Sequence, residues 1–223
     1  TMSMLDLPDS VTFNFPTPIL FGLGVRREIG PYLKENGMKR PLIVTDQGIA
    51  PLPMLHDRKV LLEGDGLEPQ IFSDMGGNPV KTHVLKGVEA YKAGGCDSVI
   101  AVGGGAPIDV AKVVALMAHH PGDLYDYEDG NPDAPPVDQH IPLLVAVPTT
   151  AGTGSEVGRS SVISEDGTGV KRIIFSPRLM PSKVFADPEL TLGLPAKITA
   201  ATGMDALTHL LEAYLAKGKF RIC

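Results

Sequence analysis

The sequence predicts an α/β fold in which a parallel sheet is flanked by helices. Three observations predict it. The first 120 residues alternate short apolar, β-branched runs with amphipathic stretches, strand then helix, four times over. The run 98–102 (SVIAV) enters three consecutive glycines, Gly103, Gly104 and Gly105, and leaves as an amphipathic stretch reaching about His119. A second wholly apolar run, 141–147 (IPLLVAV), follows a polar loop and ends in a cluster of hydroxyls. Strands apolar along their whole length belong to sheets covered on both faces.

Taken in order, residues 11–15 alternate and 19–21 continue beyond Pro16 and Pro18. Together they predict an edge hairpin, with prolines where no ladder donor is needed. Residues 24–36 predict a helix ended by Gly37, and PLIVT at 41–45 a buried strand with Asp46 at its carboxyl end. A loop or helix follows through Leu55, then a strand at 68–72. Gly76-Gly77-Asn78-Pro79 makes a turn into a helix over 80–93. Beyond the glycine segment, residues 120–140 are rich in Pro, Asp and Gly and predict a surface loop. Short strands at 160–164, 171–175 and 183–186 precede a turn at Asp187-Pro188-Glu189-Leu190 and a last helix at 196–216. No internal repeat is apparent.

The glycine segment carries the first chemistry. Without side chains at 103–105, backbone N–H groups can approach a bulky anion, and the following helix aims its positive dipole end at the same point. Pro107 suits the first helical turn. A diphosphate is the natural guest; a plain βα turn that binds nothing is the other reading. The G-x-G-x-x-G fingerprint is absent, because Ile108 stands where its third glycine belongs. A G-x-G-x-x-x-G spacing at 152–158 runs into a strand rather than a helix and is set aside. Thr149, Thr150, Thr153 and Ser155 cluster at a strand's carboxyl end, where open parallel sheets bind ligands. They read either as donors to phosphate or ribose oxygens or as a turn satisfying its own backbone. Asp46 lies on the same edge, either as an acceptor for ribose hydroxyls or as a cap for the next helix.

In the last helix Met204, Leu207, Leu211 and Tyr214 form an apolar stripe. Asp205 and His209 are four residues apart and share a face. They can reach one divalent cation, iron(II) or zinc, or simply hydrogen-bond each other at the surface. Two ligands alone are fewer than the three that catalytic sites use. His56, His83, His119, His120 and His140 show no such pattern.

With 26 acidic against 20 basic side chains, the chain carries a formal charge of −6 and no basic stripe. Nucleic acid is therefore not an expected partner, and any phosphate must be held by backbone groups. Two cysteines, Cys96 and Cys223, make no disulfide framework, so a reducing cytoplasm is expected. Residues 1–10 lack a signal-peptide pattern, Thr1 ahead of Met2 reads as a cloning scar, and no run is long and apolar enough to span a membrane.

Three segments together, GGGAPIDVAK (103–112), PTTAGTGSE (148–156) and ATGMDALTHLLEAY (201–214), resemble the iron-containing alcohol dehydrogenases. The resemblance runs over about residues 13–218. It implies a dinucleotide-binding α/β domain, residues 1–190, and the start of an all-helical metal-binding domain, 191–223. It implies NAD as cofactor, with Asp46 holding the adenosine ribose and favouring NAD over NADP. Gly103, Gly104 and Gly105 would form the pyrophosphate loop with Asp109 on its helix, and Thr149, Thr150, Thr153 and Ser155 would contact the cofactor. Val157, Lys171 and Leu190 would line the nicotinamide side, and Asp205 and His209 would be the first two ligands of a divalent metal. Ala106 stands where the family often has serine. The family's other two metal ligands are histidines from later sequence, and Lys219–Cys223 matches no family pattern, so half of the metal site is expected to be missing. The reaction implied is interconversion of a small alcohol and its aldehyde or ketone; a non-catalytic NAD(H)-binding module is the alternative. Glycerol dehydrogenases and sugar-phosphate cyclases share the architecture, but the Asp-x-x-x-His helix argues against them. The apolar stripe of the last helix, if exposed, implies a homo-oligomer.

Overall fold

The computed structural model describes residues 17–215. Six parallel strands form one sheet: β1 (Ile19–Phe21), β2 (Pro41–Val44), β3 (Gln70–Phe72), β4 (Ser98–Gly103), β5 (Leu143–Pro148) and β8 (Lys183–Ala186), in spatial order β1-β8-β5-β4-β2-β3. The helices are α1 (Ile29–Glu35), α2 (Pro53–Gly64), α3 (Lys81–Ala93), α4 (Gly105–Met117) and α5 (Ala196–Leu215). β6 (Ser160–Ser164) and β7 (Lys171–Phe175) form a separate antiparallel pair.

The strand period of two sorts the core into two layers. Ile43, Ile100, Val102, Val145, Val147 and Phe185 pack with Ile29 and Leu33 of α1 and with Leu55 and Leu62 of α2. Leu42, Val44, Val99, Ala101 and Leu144 face the other way, onto α3 and α4. The β6–β7 pair covers α4 from outside, through Ile163 and Ile174. Every residue of α4 from Pro107 to Met117 is therefore buried. A helix covered on one side only would expose a polar stripe.

Registry places the functional edge. Val44 pairs with Ala101 and Gly103 with Pro148. The chain thus leaves β2, β4 and β5 at one rim of the sheet, and the loops from Asp46, Gly104 and Thr149 start side by side.

Two expectations need correction. β1 is an edge strand but pairs in parallel with β8, Leu20 opposite Phe185; residues 11–15, the other arm of the expected hairpin, lie outside the described residues. The segment after Asp46 is not a loop or helix ending at Leu55: α2 begins at Pro53 and runs to Gly64. Its buried stripe is Leu55, Arg58 and Leu62, and the arginine in the middle disguises the helical periodicity. Among the described residues no helix is long and apolar enough to cross a membrane.

Candidate functional site

A cleft of about 1140 Å³ opens at the carboxyl rim of the sheet. Its walls include Asp46, Gly104, Gly105, Thr149, Thr150, Thr153 and Leu190. Helix α2 supplies one side with Pro53, Met54, Asp57, Arg58 and Leu61, and the approach to α5 supplies another with Leu194, Pro195, Ile198 and Thr202.

The three glycines divide their work. Gly103 is buried at φ 147°, and a Cβ there would stand 2.6 Å from Pro107 Cγ; it shapes the turn and does not line the cleft. Gly104 and Gly105 do line it. A Cβ on Gly104 would stand 3.0 Å from Thr150 Oγ1, and one on Gly105 3.0 Å from Thr153 Oγ1. The absence of side chains lets the hydroxyl loop close down on the first turn of α4. Thr149, 3 % exposed, donates its N–H to Gly103 O at 3.0 Å and ties the two strand ends together.

Asp46 closes a turn and does not cap the next helix, α2, whose N-cap is Leu52. Asp46 Oδ1 accepts the N–H groups of Gly48 at 2.8 Å and Ile49 at 2.9 Å, an Asx turn. Its carboxylate also faces the cleft. Oδ2 makes no hydrogen bond to a described residue.

Asp109 does not line the cleft. It is 8 % exposed, and its Oδ2 accepts the Val162 N–H at 3.0 Å. Burial raises its pKa, against the Val162 hydrogen bond, Lys112 and Ser155, which lower it. Ser155 lies behind the wall, next to Thr153 (3.3 Å between hydroxyls). Val157, in the 3-10 turn Ser155–Val157, and Lys171, exposed on β7, are likewise not part of the wall. Their distance from the cleft follows from the β6–β7 pair packing on α4, behind the glycine turn.

Asp205 and His209 stand together on α5, Oδ2 to Nε2 3.6 Å. Bonds of about 2.0–2.2 Å put two donors of one tetrahedral ion roughly 3.3–3.6 Å apart, so the pair fits two positions of a divalent metal's shell. Beyond this approach to His209, Asp205 Oδ2 is buried without a hydrogen bond among the described residues, an acceptor of the kind a cation would take. Backbone at Gly152 lies against this turn of α5: a Cβ there would be 3.4 Å from Asp205 Oδ2. Among the described residues no third His, Cys, Asp or Glu joins the pair.

Sequence reasoning missed a cationic corner. Arg26 pairs with Asp187 and, at 2.5 Å, with Glu189. Beneath it Arg58 is 2 % exposed, and none of its three guanidinium nitrogens has a hydrogen-bond partner among the described residues. Burial, reinforced by Arg26 and opposed by Asp187, pulls its pKa down to about 10, so it is still charged at neutral pH. A lone arginine in an unrecognised helix carries no sequence signal.

Comparisons with known proteins agree with this architecture. The family profile described as iron-containing alcohol dehydrogenase matches residues 16–188. The chain is 42 % identical to 4-hydroxybutyrate dehydrogenase of Cupriavidus necator over 180 residues, 81 % of this chain and 46 % of that protein. It is 41 % identical to 1,3-propanediol dehydrogenase of Citrobacter freundii, over 91 % of this chain and 52 % of that protein. The crystal structure of sulfoacetaldehyde reductase from Bifidobacterium kashiwanohense in complex with NAD+ superposes with a TM-score of 0.84 at 34 % identity, over 93 % of this chain and 54 % of that one. The chain spans about half the length of the curated relatives it matches. With the profile covering most of its length and the sheet shared with solved members, the chain belongs to the iron-containing alcohol dehydrogenase family.

Proposed function

We propose that this chain carries the nucleotide-binding part of an NAD-dependent, metal-activated oxidoreductase that interconverts a small alcohol and its aldehyde or ketone. One observation carries the reading: Asp46, Gly104, Gly105, Thr149, Thr150 and Thr153 share the wall of one cleft at the sheet's carboxyl rim. The relatives' names, a hydroxy-acid and a diol dehydrogenase, support an alcohol as substrate.

NAD supplies the hydride acceptor for the alcohol carbon, and iron(II) or zinc supplies a Lewis acid for its oxygen. The protein's own residues bind and orient. The amides of Gly104 and Gly105 and the N-terminus of α4 hold a diphosphate without any lysine. Thr150 and Thr153 donate hydroxyls from the opposite wall. Asp46 offers Oδ2 to ribose hydroxyls while Oδ1 stays fixed in its turn. Asp205 and His209 seat a cation where α5 meets the Gly152 loop. In this reading Asp109, Ser155, Val157 and Lys171 support the cleft from behind or act from the hairpin.

The test is titration of the purified chain with NADH, followed by fluorescence, with NAD+ and 1,3-propanediol added to assay turnover. Saturable NADH binding with weak metal affinity and little or no turnover is expected, since among the described residues two protein donors stand together, fewer than catalytic sites use. Robust alcohol oxidation, abolished by Asp205→Ala, would contradict the expectation of weak turnover. The second reading is a non-catalytic NAD(H)-binding module; NADH binding indifferent to added iron(II) or zinc supports it. Failure to bind NADH at all removes both.

A cytoplasmic homo-oligomer completes the proposal. Leu207, Leu210, Leu211 and Tyr214 of α5 are about half exposed or more, an apolar face suited to a second copy of this chain. Light scattering that finds a clean monomer contradicts it.

A further inference from the structure

Helix α2 carries two functional faces, and Arg58 belongs to both. Leu55, Arg58 and Leu62 form its buried stripe. Met54, Arg58 and Leu61 follow one another at helical spacing and line the cleft. The Arg58 side chain therefore lies where the core meets the cleft wall. Arg26 and Arg27, from the turn after β1, line the same cleft. Arg26 is near enough that its charge opposes that of Arg58, while Asp187 acts in the other sense. The buried charges of this corner do not balance. Arg26, its side chain 24 % exposed, holds the fully buried carboxylate of Asp187 and the 41 % exposed carboxylate of Glu189. Solvent screens Glu189, so two guanidiniums share one buried carboxylate. Arg58 is left with all its N–H donors and no acceptor among the described residues.

We propose that this corner of the cleft is a second anion site, in which a phosphate group sits between the Arg58 and Arg26 guanidiniums. It is built by α2 and the turn at 25–28, whereas the glycine turn belongs to α4. An arginine with almost no exposed surface is rare unless it is paired, and an apolar side chain fills such a position without stripping water from a charge. A phosphate supplies what the corner lacks, both the missing negative charge and the acceptors. Planar guanidiniums match its oxygens two at a time, and its tetrahedral oxygens serve two forks where a carboxylate serves one. The Arg58 nitrogens are enclosed, so entry requires Arg26 to turn. The outer link of Arg26 is its exposed hydrogen bond to Glu189. Exposed ion pairs hold weakly, so Arg26 exchanges Glu189 for the incoming phosphate and keeps Asp187.

The test uses the full chain and two variants, Arg58→Met and Arg26→Gln, with inorganic phosphate as the probe at constant ionic strength. Phosphate binding is read by titration calorimetry and by thermal melting. Phosphate is expected to raise the wild-type melting temperature by roughly 3–5 °C at about ten times its dissociation constant. Arg58→Met is expected to bind phosphate about tenfold more weakly or worse and to lose that shift, and Arg26→Gln to bind it about threefold more weakly or worse. Without phosphate Arg58→Met melts above wild type, and adding phosphate narrows the gap. Phosphate held at the Gly104–Gly105 turn shifts wild type and variants alike, so the difference between them reports on the corner. An Arg58→Met chain with unchanged NADH affinity identifies free phosphate as the guest; one that also binds NADH about tenfold more weakly identifies a phosphate carried by the nucleotide. Should Arg58→Met not fold, Arg26→Gln still decides. Wild-type phosphate affinity in folded Arg58→Met or Arg26→Gln, or a wild type that does not bind phosphate, overturns the proposal and leaves the dinucleotide reading of the cleft intact. A wild type that binds phosphate through Arg58 but does not bind NADH removes the dinucleotide reading alone.

Discussion

Asp46 Oδ1 stands 2.9 Å from the backbone nitrogen of Ile49, and that bond bends the chain leaving β2 so that the carboxylate rims the cleft. One carboxylate oxygen is thus held by the turn while the residue still lines the cleft. Asp46→Asn keeps the turn's acceptor and removes the charge. Thermal stability is expected to stay within about 1 kcal/mol of wild type, because a surface acceptor is retained. The preference for NADH over NADPH is expected to fall about tenfold, because a carboxylate no longer repels a 2′-phosphate. Parallel titrations with the two cofactors read the ratio; an unchanged ratio places the ribose elsewhere.

Gly103 is the glycine that the backbone itself requires. Its φ of 147° disfavours any side chain, and a Cβ would meet Pro107 Cγ at 2.6 Å. Gly103→Ala is expected to destabilise the chain by roughly 1–3 kcal/mol, by combining backbone strain with a clash against a rigid ring. Urea unfolding measures it, and a loss below half a kcal/mol, within the range of a neutral surface change, would contradict it.

Arg58 predicts an unusual gain. Its guanidinium is buried, charged and without a hydrogen bond to any described residue. Replacing a poorly compensated buried charge by an apolar side chain of similar length stabilises proteins by about 1–4 kcal/mol. Arg58→Met is expected to raise the melting temperature by roughly 2–4 °C for each kcal/mol gained. Calorimetry that shows a drop would mean that the charge is neutralised in solution by an anion in the cleft.

Asp187 sets a pH limit. Burial raises its pKa, but hydrogen bonds from Arg26 and from the Gly24 and Glu189 N–H groups win, and the carboxyl falls below its ordinary 3.8. A depressed folded-state pKa contributes stability that is fully present above the unfolded value and is lost as pH falls through the folded one. The stability difference between wild type and Asp187→Asn is therefore expected to be constant from neutral pH down to about 5, and to narrow as pH drops below 3.8. Urea unfolding midpoints from pH 7 to pH 3 test this; a difference that widens in acid refutes it.

What could be read from the sequence follows the range of the interactions involved. β2, β4 and β5 are legible because each is a nearly continuous apolar run, Ser98 being the one polar residue, and Gly103–Gly105 because a run of glycines is a local signal. Asp109 and Lys112 are not. On the page they form an ordinary polar face of an amphipathic helix, and the strand that buries them is about fifty residues away. Arg58 misleads in the opposite direction, since a charge within a helix normally marks the solvent side. Asp205 and His209 are legible as a pair four apart, yet that spacing alone does not reveal that Gly152 backs onto them.

The burial of α4 between sheet and hairpin bears on how this protein can be redesigned. Here Val110, Ala111, Val114 and Ala115 all have neighbours and no outward side, so enlarging one of them pushes either the sheet or the hairpin away. Variation belongs instead on α2, whose Asp57 and Leu61 flank the same opening and have solvent to move into.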